Sequence, residues 1–301
     1  MEYDQEKHEL TMTQETYFMK ILERFGMTNC HGYSTPEVDD RDDLWHDENQ
    51  PTADQEMYRS MVGSLMYLIT CTRPDISHAV QRLSRHLHDP RMPHFVGAKR
   101  VLRYIKHTIR YGLTFKRSGT TLAGYSDASW ATRPDCRSTS GLLAMIGDAA
   151  VSWRSARQRV VALSTCEAEY IALVELAKEV MWLRGVLKDV GMSQDHASVI
   201  LCDNKAAIAT AESLGVSNRS NRLHFVRSLV AARTIAIRHV GTANQLADVF
   251  TKVGTRNALD KFKDQVMAVG CLGQSNNGNS NHETTPPSKP PTSFGSNTGE
   301  C

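Results

Sequence analysis

Three aspartates lie where predicted strands end or helices begin, within one stretch of about 125 residues. Asp127 closes the strand-like run 122–127, and Asp203 closes the run 199–203 just before a helix-prone segment. Asp248 lies in a helix-compatible segment that follows another strand-like run. Because open α/β folds place their chemistry at the ends of strands, these acids are candidates for one site.

A fourth acid, Glu169, belongs to a helical stripe. The apolar residues that follow it are spaced 4, 3, 4, 3 and 4 apart: Leu173, Leu176, Val180, Leu183 and Leu187. A carboxylate in line with a buried leucine stripe is costly unless it is paired or binds a metal, whereas Glu167 lies about 200° around the helix. The spacing therefore favours Glu169 as the functional acid.

Each of the four acids also has an ordinary structural interpretation. Asp127 suits a turn, and Asp203 suits the N-cap of a helix. Asp248 suits a solvated helix face, and Glu169 suits the first turn of a helix, where a negative charge is favourable. Taken one by one, the residues do not decide between the two interpretations.

Six motifs surround these acids in the order and spacing of a known family: Gly124-Tyr-Ser-Asp-Ala-Ser-Trp-Ala131, Ser138-Thr-Ser-Gly141, Val151-Ser-Trp-Arg154, Ala162-Leu-Ser-Thr-Cys-Glu-Ala-Glu-Tyr170, Cys202-Asp-Asn204 and Gln245-Leu-Ala-Asp-Val-Phe-Thr-Lys252. With them the chain resembles the ribonuclease H domain of Ty1/copia-type retrotransposon polyproteins. The resemblance implies that Asp127, Glu169, Asp203 and Asp248 are the catalytic, metal-binding acids.

The resemblance extends upstream, where residues 57–67, 72–77, 98–105 and 17–26 are similar to the segment that joins the polymerase to this domain. It implies four parts: residues 1–56, a remnant of the reverse transcriptase C-terminal region with an acidic linker; 57–118, a helical, basic connection segment; 119–268, the ribonuclease H-like domain; and 269–301, a disordered tail without catalytic duty.

A reverse transcriptase also needs an aspartate pair in a Tyr-Xaa-Asp-Asp hairpin, and no such hairpin occurs. Val38-Asp-Asp40 lies in a run with nine acids and one arginine between Thr35 and Glu56, which is typical of a solvated linker. We expect the polymerase site upstream of Met1, in a reverse transcriptase region that would be this chain's partner.

The composition fits an intracellular globular chain. It has 301 residues, of which 41% are apolar, with no run of eighteen apolar residues and no apolar signal segment, so we expect no membrane association. Its seven cysteines show no paired metal-ligand spacing, which favours a reducing compartment. Whether that is the cytoplasm, in a virus-like particle, or the nucleus stays open.

The basic residues are concentrated between residues 81 and 119, where ten Lys or Arg accompany a single acid. We expect a helix over residues 75–87, separated by Pro90 and Pro93 from a second, basic helix. One face of that second helix would carry four cations for phosphate binding: Lys99, Arg103, Lys106 and Arg110. The alternative is an ordinary solvated helix.

The expected fold class is α/β (mixed α+β): a ribonuclease H-like, five-stranded mixed sheet flanked by helices and preceded by a mainly helical connection segment. Short turns make the first three strands antiparallel. The fourth would enter parallel beside the first, after the Glu169 helix. The five strands are expected over residues 122–127, 141–146, 150–154, 199–203 and 234–239.

Clustered carboxylates repel one another unless divalent cations compensate them, and oxygen ligands favour Mg²⁺, or alternatively Mn²⁺, over zinc. Two ions about 4 Å apart would support in-line attack on a phosphodiester. The resemblance implies an RNA:DNA hybrid as substrate, with 5′-phosphate and 3′-hydroxyl product ends. It also implies that His239 assists proton transfer or product release, with a structural role for this histidine as the alternative.

The segment from Arg219 to Arg227 departs from the family pattern, since it is about four residues short and lacks an acid. This departure leaves an alternative function open, that of a catalytically inactive, nucleic-acid-binding remnant. A strand-transfer enzyme of the same superfold is the third hypothesis, although the chain lacks the His/Cys zinc module common in that class.

Overall fold

The computed structural model describes residues 1–38, 49–130, 136–213 and 221–269, all of which belong to one compact unit. Its helices are α1 (Glu15–Arg24), α2 (Gln55–Cys71), α3 (Ser77–Ser84), α4 (Met92–His107), α5 (Thr165–Asp189), α6 (Lys205–Glu212), α7 (Asn221–Ala231) and α8 (Arg256–Val266). Its strands are β1 (Glu2–Asp4), β2 (Glu9–Met12), β3 (Tyr111–Lys116), β4 (Leu122–Ser129), β5 (Thr139–Ile146), β6 (Ala149–Arg157), β7 (Ser198–Cys202), β8 (Ile235–His239) and β9 (Met267–Val269). Short 3-10 helices span Pro74–Ile76, Thr242–Asn244 and Leu246–Phe250.

A five-stranded mixed sheet has the order β6-β5-β4-β7-β8. The β4–β5 and β5–β6 pairs are antiparallel, whereas β7 runs parallel to both β4 and β8. A tight turn joins β5 to β6, and it uses a φ of +57° at Gly147, which glycine adopts without strain. The predicted fold class is confirmed, as are the antiparallel pairing of the first three strands and the parallel entry of β7 beside β4. The position of β8 beside β7 was not predicted.

The long helix α5 covers one face of this sheet. Ser164 caps it by accepting a hydrogen bond from the Glu167 amide, and the Glu167 side chain accepts one from the Leu163 amide. The predicted apolar stripe from Leu173 to Leu187 is buried and packs against sheet residues such as Ile200. The stripe therefore fixes which side of α5 faces the sheet, and Glu169 lies on that side.

The opposite face of the sheet is covered by the segment that follows β8. Leu143 and Met145 of β5 pack there against Phe250, and against Leu259 and Phe262 of α8. Burying a side chain of this size contributes roughly 1.5–3 kcal/mol. The 3-10 helix that carries Asp248 is thus anchored by apolar contacts.

The N-terminal helices form a second core that is attached to the sheet. Helices α1 to α4 bury side chains such as Tyr58, Leu65 and Leu102. Trp153 Nε1 of β6 donates a hydrogen bond of 2.6 Å to the Ile69 carbonyl of α2. In a separate four-stranded sheet, β9 pairs with β3, so the end of the described chain is joined to residues 111–113, which precede the five-stranded sheet.

The helix expected over residues 75–87 is shorter than predicted. The chain forms the 3-10 helix Pro74–Ile76, and then α3, which ends at Ser84. Pro93 does not separate the helices, because it lies in the first turn of α4, where the missing amide hydrogen is not needed.

The expectation of a solvated acidic linker is wrong at Glu37, which is only 9% exposed. Its carboxylate lies 2.9 Å from His78 Nδ1 and 3.6 Å from an Arg82 nitrogen. Residues 39–48, with most of the linker acids, lie outside the described residues. The same holds for residues 214–220, which include the first two residues of the shortened segment, and for residues 270–301 of the predicted tail. The division into four parts stays a prediction.

Within the described ranges, we find no helix whose length and apolar character would let it cross a membrane.

Candidate metal centre

Asp127 lies inside β4, two residues before its last residue Ser129, rather than at the strand end as predicted. It is 1% exposed and accepts a hydrogen bond from Thr251 Oγ1. Burial raises the pKa of this carboxyl, an effect that Lys252 opposes and repulsion by Asp248 reinforces. The interpretation of Asp127 as a turn residue is therefore wrong, and its carboxylate needs positive charge nearby.

A glycine brings Asp248 close to Asp127. The 3-10 helix Leu246–Phe250 carries Asp248 and lies against β5, where Gly141 is the register partner of Asp127. A Cβ at Gly141 would lie 2.7 Å from the Ala247 carbonyl oxygen, a distance that side chains do not tolerate. The missing side chain thus permits the close approach of helix and strand.

Gln245 ties the same 3-10 helix to β4. Its Nε2 donates a hydrogen bond of 2.9 Å to the Ser126 carbonyl, directly before Asp127. Its Oε1 accepts a hydrogen bond of 3.2 Å from the Ala247 amide at the start of the helix. The amide side chain therefore links two of the acid-bearing elements, a role that the sequence did not predict.

Glu169 lies in α5 and is 6% exposed, while Glu167 caps the helix. One carboxylate oxygen of Glu169, Oε2, is buried without a hydrogen-bond partner. Burial, together with repulsion by Asp127 and Asp203, raises the pKa of Glu169 to about 9. A buried carboxylate oxygen without a partner is rare in native proteins and fits a position that a cation occupies.

Asp203 directly follows β7. The expected N-cap role belongs instead to Asn204, whose side chain accepts a hydrogen bond of 3.0 Å from the Ala207 amide. Asp203 itself accepts a hydrogen bond of 3.1 Å from Thr242 Oγ1 and is partly buried. The Asp203 carboxylate therefore does not cap α6.

The four acids converge. Asp127, Asp203 and Asp248 each offer an oxygen, and these atoms all lie within 4.8 Å of one another. Glu169, Asp203 and the Cys202 sulfur form a second group with the same spacing. Burial raises the pKa of the Cys202 thiol to about 12, so the thiol is a poor ligand beside three carboxylates. The donor set fits a hard divalent cation such as Mg²⁺.

Lys252 was missed by the sequence analysis as a member of the site. Its Nζ lies 3.0 Å from an Asp248 oxygen and 3.6 Å from an Asp127 oxygen. Burial alone would lower the pKa of Lys252, but the neighbouring carboxylates Asp127 and Asp248 raise it. The available signals were the i,i+4 spacing from Asp248 and the place of Lys252 at the end of the sixth motif, whereas the contact with Asp127 arises from the fold.

His239 is the last residue of β8 and lies in parallel register with Cys202, next to Asp203 in sequence. It is exposed. The fold thus brings it to the edge of the acid cluster, and its role in proton transfer stays a prediction.

The four cations predicted to share one helical face do not all lie on a helix. Lys99, Arg103 and Lys106 belong to α4, but α4 ends at His107 and Arg110 lies in the turn that follows. Lys106 donates hydrogen bonds to backbone carbonyls, one of them Cys30 O at 2.7 Å. Arg103 donates to the Tyr33 hydroxyl at 3.0 Å. Part of this basic face therefore contacts the protein itself.

The chain matches no family model. Over 269 residues it is 38% identical to a retrovirus-related Pol polyprotein from transposon TNT 1-94 of Nicotiana tabacum, covering 85% of this chain and 20% of the relative. Over 266 residues it is 35% identical to a Pol polyprotein from transposon RE2 of Arabidopsis thaliana, covering 86% of this chain and 18% of the relative. These relatives are retrovirus-related Pol polyproteins of copia-type transposons, as the resemblance implied, and this chain spans about a fifth of their length.

Among solved structures, the chain is similar to LC11-RNase H1, a protein isolated from compost by a metagenomic approach. The identity is 14%, the TM-score is 0.34, and the similarity covers 47% of this chain and 97% of that protein.

Proposed function

We propose that this chain is a ribonuclease H, which hydrolyses the RNA strand of RNA:DNA hybrids with divalent cations as part of a copia-type Pol polyprotein. The proposal is carried by the convergence of Asp127, Asp203 and Asp248 within 4.8 Å, beside the unpartnered oxygen of Glu169. Like charges in so small a volume are unfavourable unless cations compensate them. The similarity to copia-type Pol polyproteins is consistent with this proposal.

Asp127, Glu169, Asp203 and Asp248 would hold the ions. Two bound Mg²⁺ ions, or alternatively Mn²⁺, would supply an activated water and neutralise charge on the phosphodiester. Asp127 and Glu169 are buried and form the floor of the cluster, while Asp203 and Asp248 are partly exposed. The cluster therefore opens to solvent on the side of Asp203 and Asp248, where a phosphodiester would approach.

Substrate choice would depend on the RNA strand's 2′-hydroxyls, which lie in the shallow minor groove of the hybrid. The cations of the connection segment, such as Lys99, would hold the phosphate backbone without reading sequence. His239 would assist proton transfer or product release at the edge of the cluster. The upstream reverse transcriptase region is the proposed intramolecular partner, inside the cell.

The test is a cleavage assay with a labelled RNA:DNA hybrid, with and without Mg²⁺, beside double-stranded RNA and DNA. We expect Mg²⁺-dependent cleavage of the hybrid's RNA alone, leaving 5′-phosphate and 3′-hydroxyl ends. Asp203→Asn should lower the rate at least about a hundredfold, because it removes a charged ligand shared by the cluster. Asp195→Asn, an exposed acid outside the cluster, should leave the rate unchanged.

Absence of cleavage by a folded wild-type chain would contradict the proposal for this chain. Binding of the hybrid without cleavage would then favour the inactive remnant. Equal activity of Asp203→Asn and wild type would place the chemistry elsewhere.

A further inference from the structure

The acid cluster contains a cation that the protein itself supplies. Lys252 directly follows Thr251, the residue that donates a hydrogen bond to Asp127, and its own amide donates to the Asp248 carbonyl at 3.1 Å. Its backbone is thus fixed beside both aspartates, and its ammonium lies 3.0 Å and 3.6 Å from their oxygens.

This arrangement differs from an ordinary surface ion pair. Exposed pairs such as Lys178 with Glu175 join two solvated side chains and contribute little to stability. Lys252 is half exposed, but one of its two partners, Asp127, is buried, so water does not solvate the Asp127 charge. Among the described residues, Lys252 makes both of the ion pairs that reach acids of the cluster, one to Asp127 and one to Asp248.

A cation bound at Asp127 and Asp248 would meet this ammonium. Two positive charges a few ångströms apart repel each other strongly at the low effective dielectric constant of a partly buried site. The long, flexible lysine stem lets the ammonium leave without movement of the backbone.

We infer that Lys252 is the resident counter-ion of the metal centre: its ammonium neutralises Asp127 and Asp248 in the metal-free protein, and a divalent cation must displace it in order to bind. The inference rests on the proposed function, because only a metal-binding cluster has an ion to exchange. The lysine keeps the acids together before metal arrives, at the cost of weaker apparent metal affinity.

The first experiment is calorimetric titration of the full chain with Mg²⁺. Lys252→Met keeps the length of the side chain and removes its charge, so it should bind Mg²⁺ about tenfold more tightly than wild type. Lys178→Met makes the same change of net charge at an exposed ion pair on α5 and should bind as wild type does. Lys252→Arg keeps the charge and should not gain affinity.

The second experiment needs no variant and so does not depend on folding of Lys252→Met. Wild-type protein is treated with an amine-acetylating reagent, with and without Mg²⁺, and labelling is quantified by mass spectrometry. We expect Mg²⁺ to increase labelling of Lys252 at least about twofold, since its ammonium leaves the carboxylates, with Lys178 as the unchanged internal reference.

The outcomes separate the inference from the proposed function. Equal Mg²⁺ affinity of wild type and Lys252→Met, or labelling of Lys252 that does not rise with Mg²⁺, would overturn the inference while the nuclease proposal stands. Absence of Mg²⁺ binding by all of these proteins would overturn both.

Discussion

The ionised form of Glu169 is disfavoured by its surroundings, because one of its oxygens has no hydrogen-bond partner and its pKa is raised to about 9. In the unfolded chain a glutamate has a pKa of about 4.3. The folded protein therefore holds this proton more tightly than the unfolded chain does. The stabilising effect is fully present below the unfolded pKa and is lost as the pH rises toward 9.

We predict that Glu169→Gln reduces the pH dependence of stability in the metal-free protein. The wild type should lose free energy of unfolding between about pH 5 and about pH 9, whereas the amide has no proton to lose. Urea unfolding in a chelator at both pH values measures the slope. Glu167→Gln, two residues away, is the control and should keep the wild-type slope; an unchanged slope in Glu169→Gln would contradict this account.

The role of a single residue can be predicted from sequence where the pattern that indicates it lies in neighbouring positions of the chain. Glu169 follows from the 4, 3, 4, 3, 4 spacing of a stripe that the structure buries. The contact between Lys252 and Asp127 joins residues about 125 positions apart, and no local spacing carries it. The partners that hold the acids in place, Thr251 and Gln245, were missed for the same reason.

The contact between β5 and the 3-10 helix Leu246–Phe250 positions Asp248 relative to Asp127. It depends on Gly141, because a side chain there would collide with the Ala247 carbonyl at 2.7 Å. The Ala247 carbonyl belongs to the backbone and cannot rotate away as the end of a flexible side chain can. The 3-10 helix Leu246–Phe250 would therefore have to move.

We therefore predict that Gly141→Ala separates two acids without changing any of them. It should cost about 1–3 kcal/mol of stability and weaken Mg²⁺ binding at least about tenfold. Titration calorimetry and thermal unfolding measure both effects.

Gly185→Ala is the matched control, since nothing lies within 4 Å of a Cβ at this position in α5. Alanine should stabilise the helix there by up to about 1 kcal/mol and leave Mg²⁺ binding unchanged. Comparable losses in the two variants would mean that Gly141 has no special role in placing Asp248.

The strands β1, β2, β3 and β9 of the second sheet were not predicted. The five strands of the mixed sheet were predictable, because each is short, apolar and bounded by turn signals. The end of α4 was not. Its periodic pattern continues past His107 to Arg110, but Thr108 turns its hydroxyl back to the Tyr104 carbonyl and β3 begins at Tyr111. Gly112 of β3 approaches the Met12 backbone so closely that a Cβ would lie 2.1 Å from its carbonyl oxygen. Pairing with a distant strand, rather than local periodicity, ends this helix.

On the scale of the whole molecule, one buried ion pair joins the residues that follow α2 to the helix α4. Arg73 donates two hydrogen bonds to Asp75, at 2.9 and 2.7 Å, and the Tyr104 hydroxyl donates a third at 2.7 Å. Arg73 also donates to the Thr108 carbonyl at 3.1 Å, after α4. The network thus connects the end of α2 with the far end of α4.

We predict that Asp75→Asn costs about 3–5 kcal/mol, because it leaves the Arg73 charge buried without its partner. Since the described residues form one compact unit, helices and sheet should unfold together in one transition shifted to lower urea. Circular dichroism, which reports the helices, and the fluorescence of the chain's four tryptophans, among them Trp153 of β6, should give coincident curves. A loss below about 1 kcal/mol, or two separate transitions, would contradict this view.

The most direct test of the central claim compares the rates at which Glu169→Gln and Glu167→Gln cut the RNA of an RNA:DNA hybrid in Mg²⁺. The two variants make the same chemical change two residues apart on one helix, but only Glu169 lies in the acid cluster. We predict a loss of at least about a hundredfold for Glu169→Gln and a change of less than about twofold for Glu167→Gln. Equal rates in the two variants, or a loss confined to Glu167→Gln, would contradict the assignment of the site.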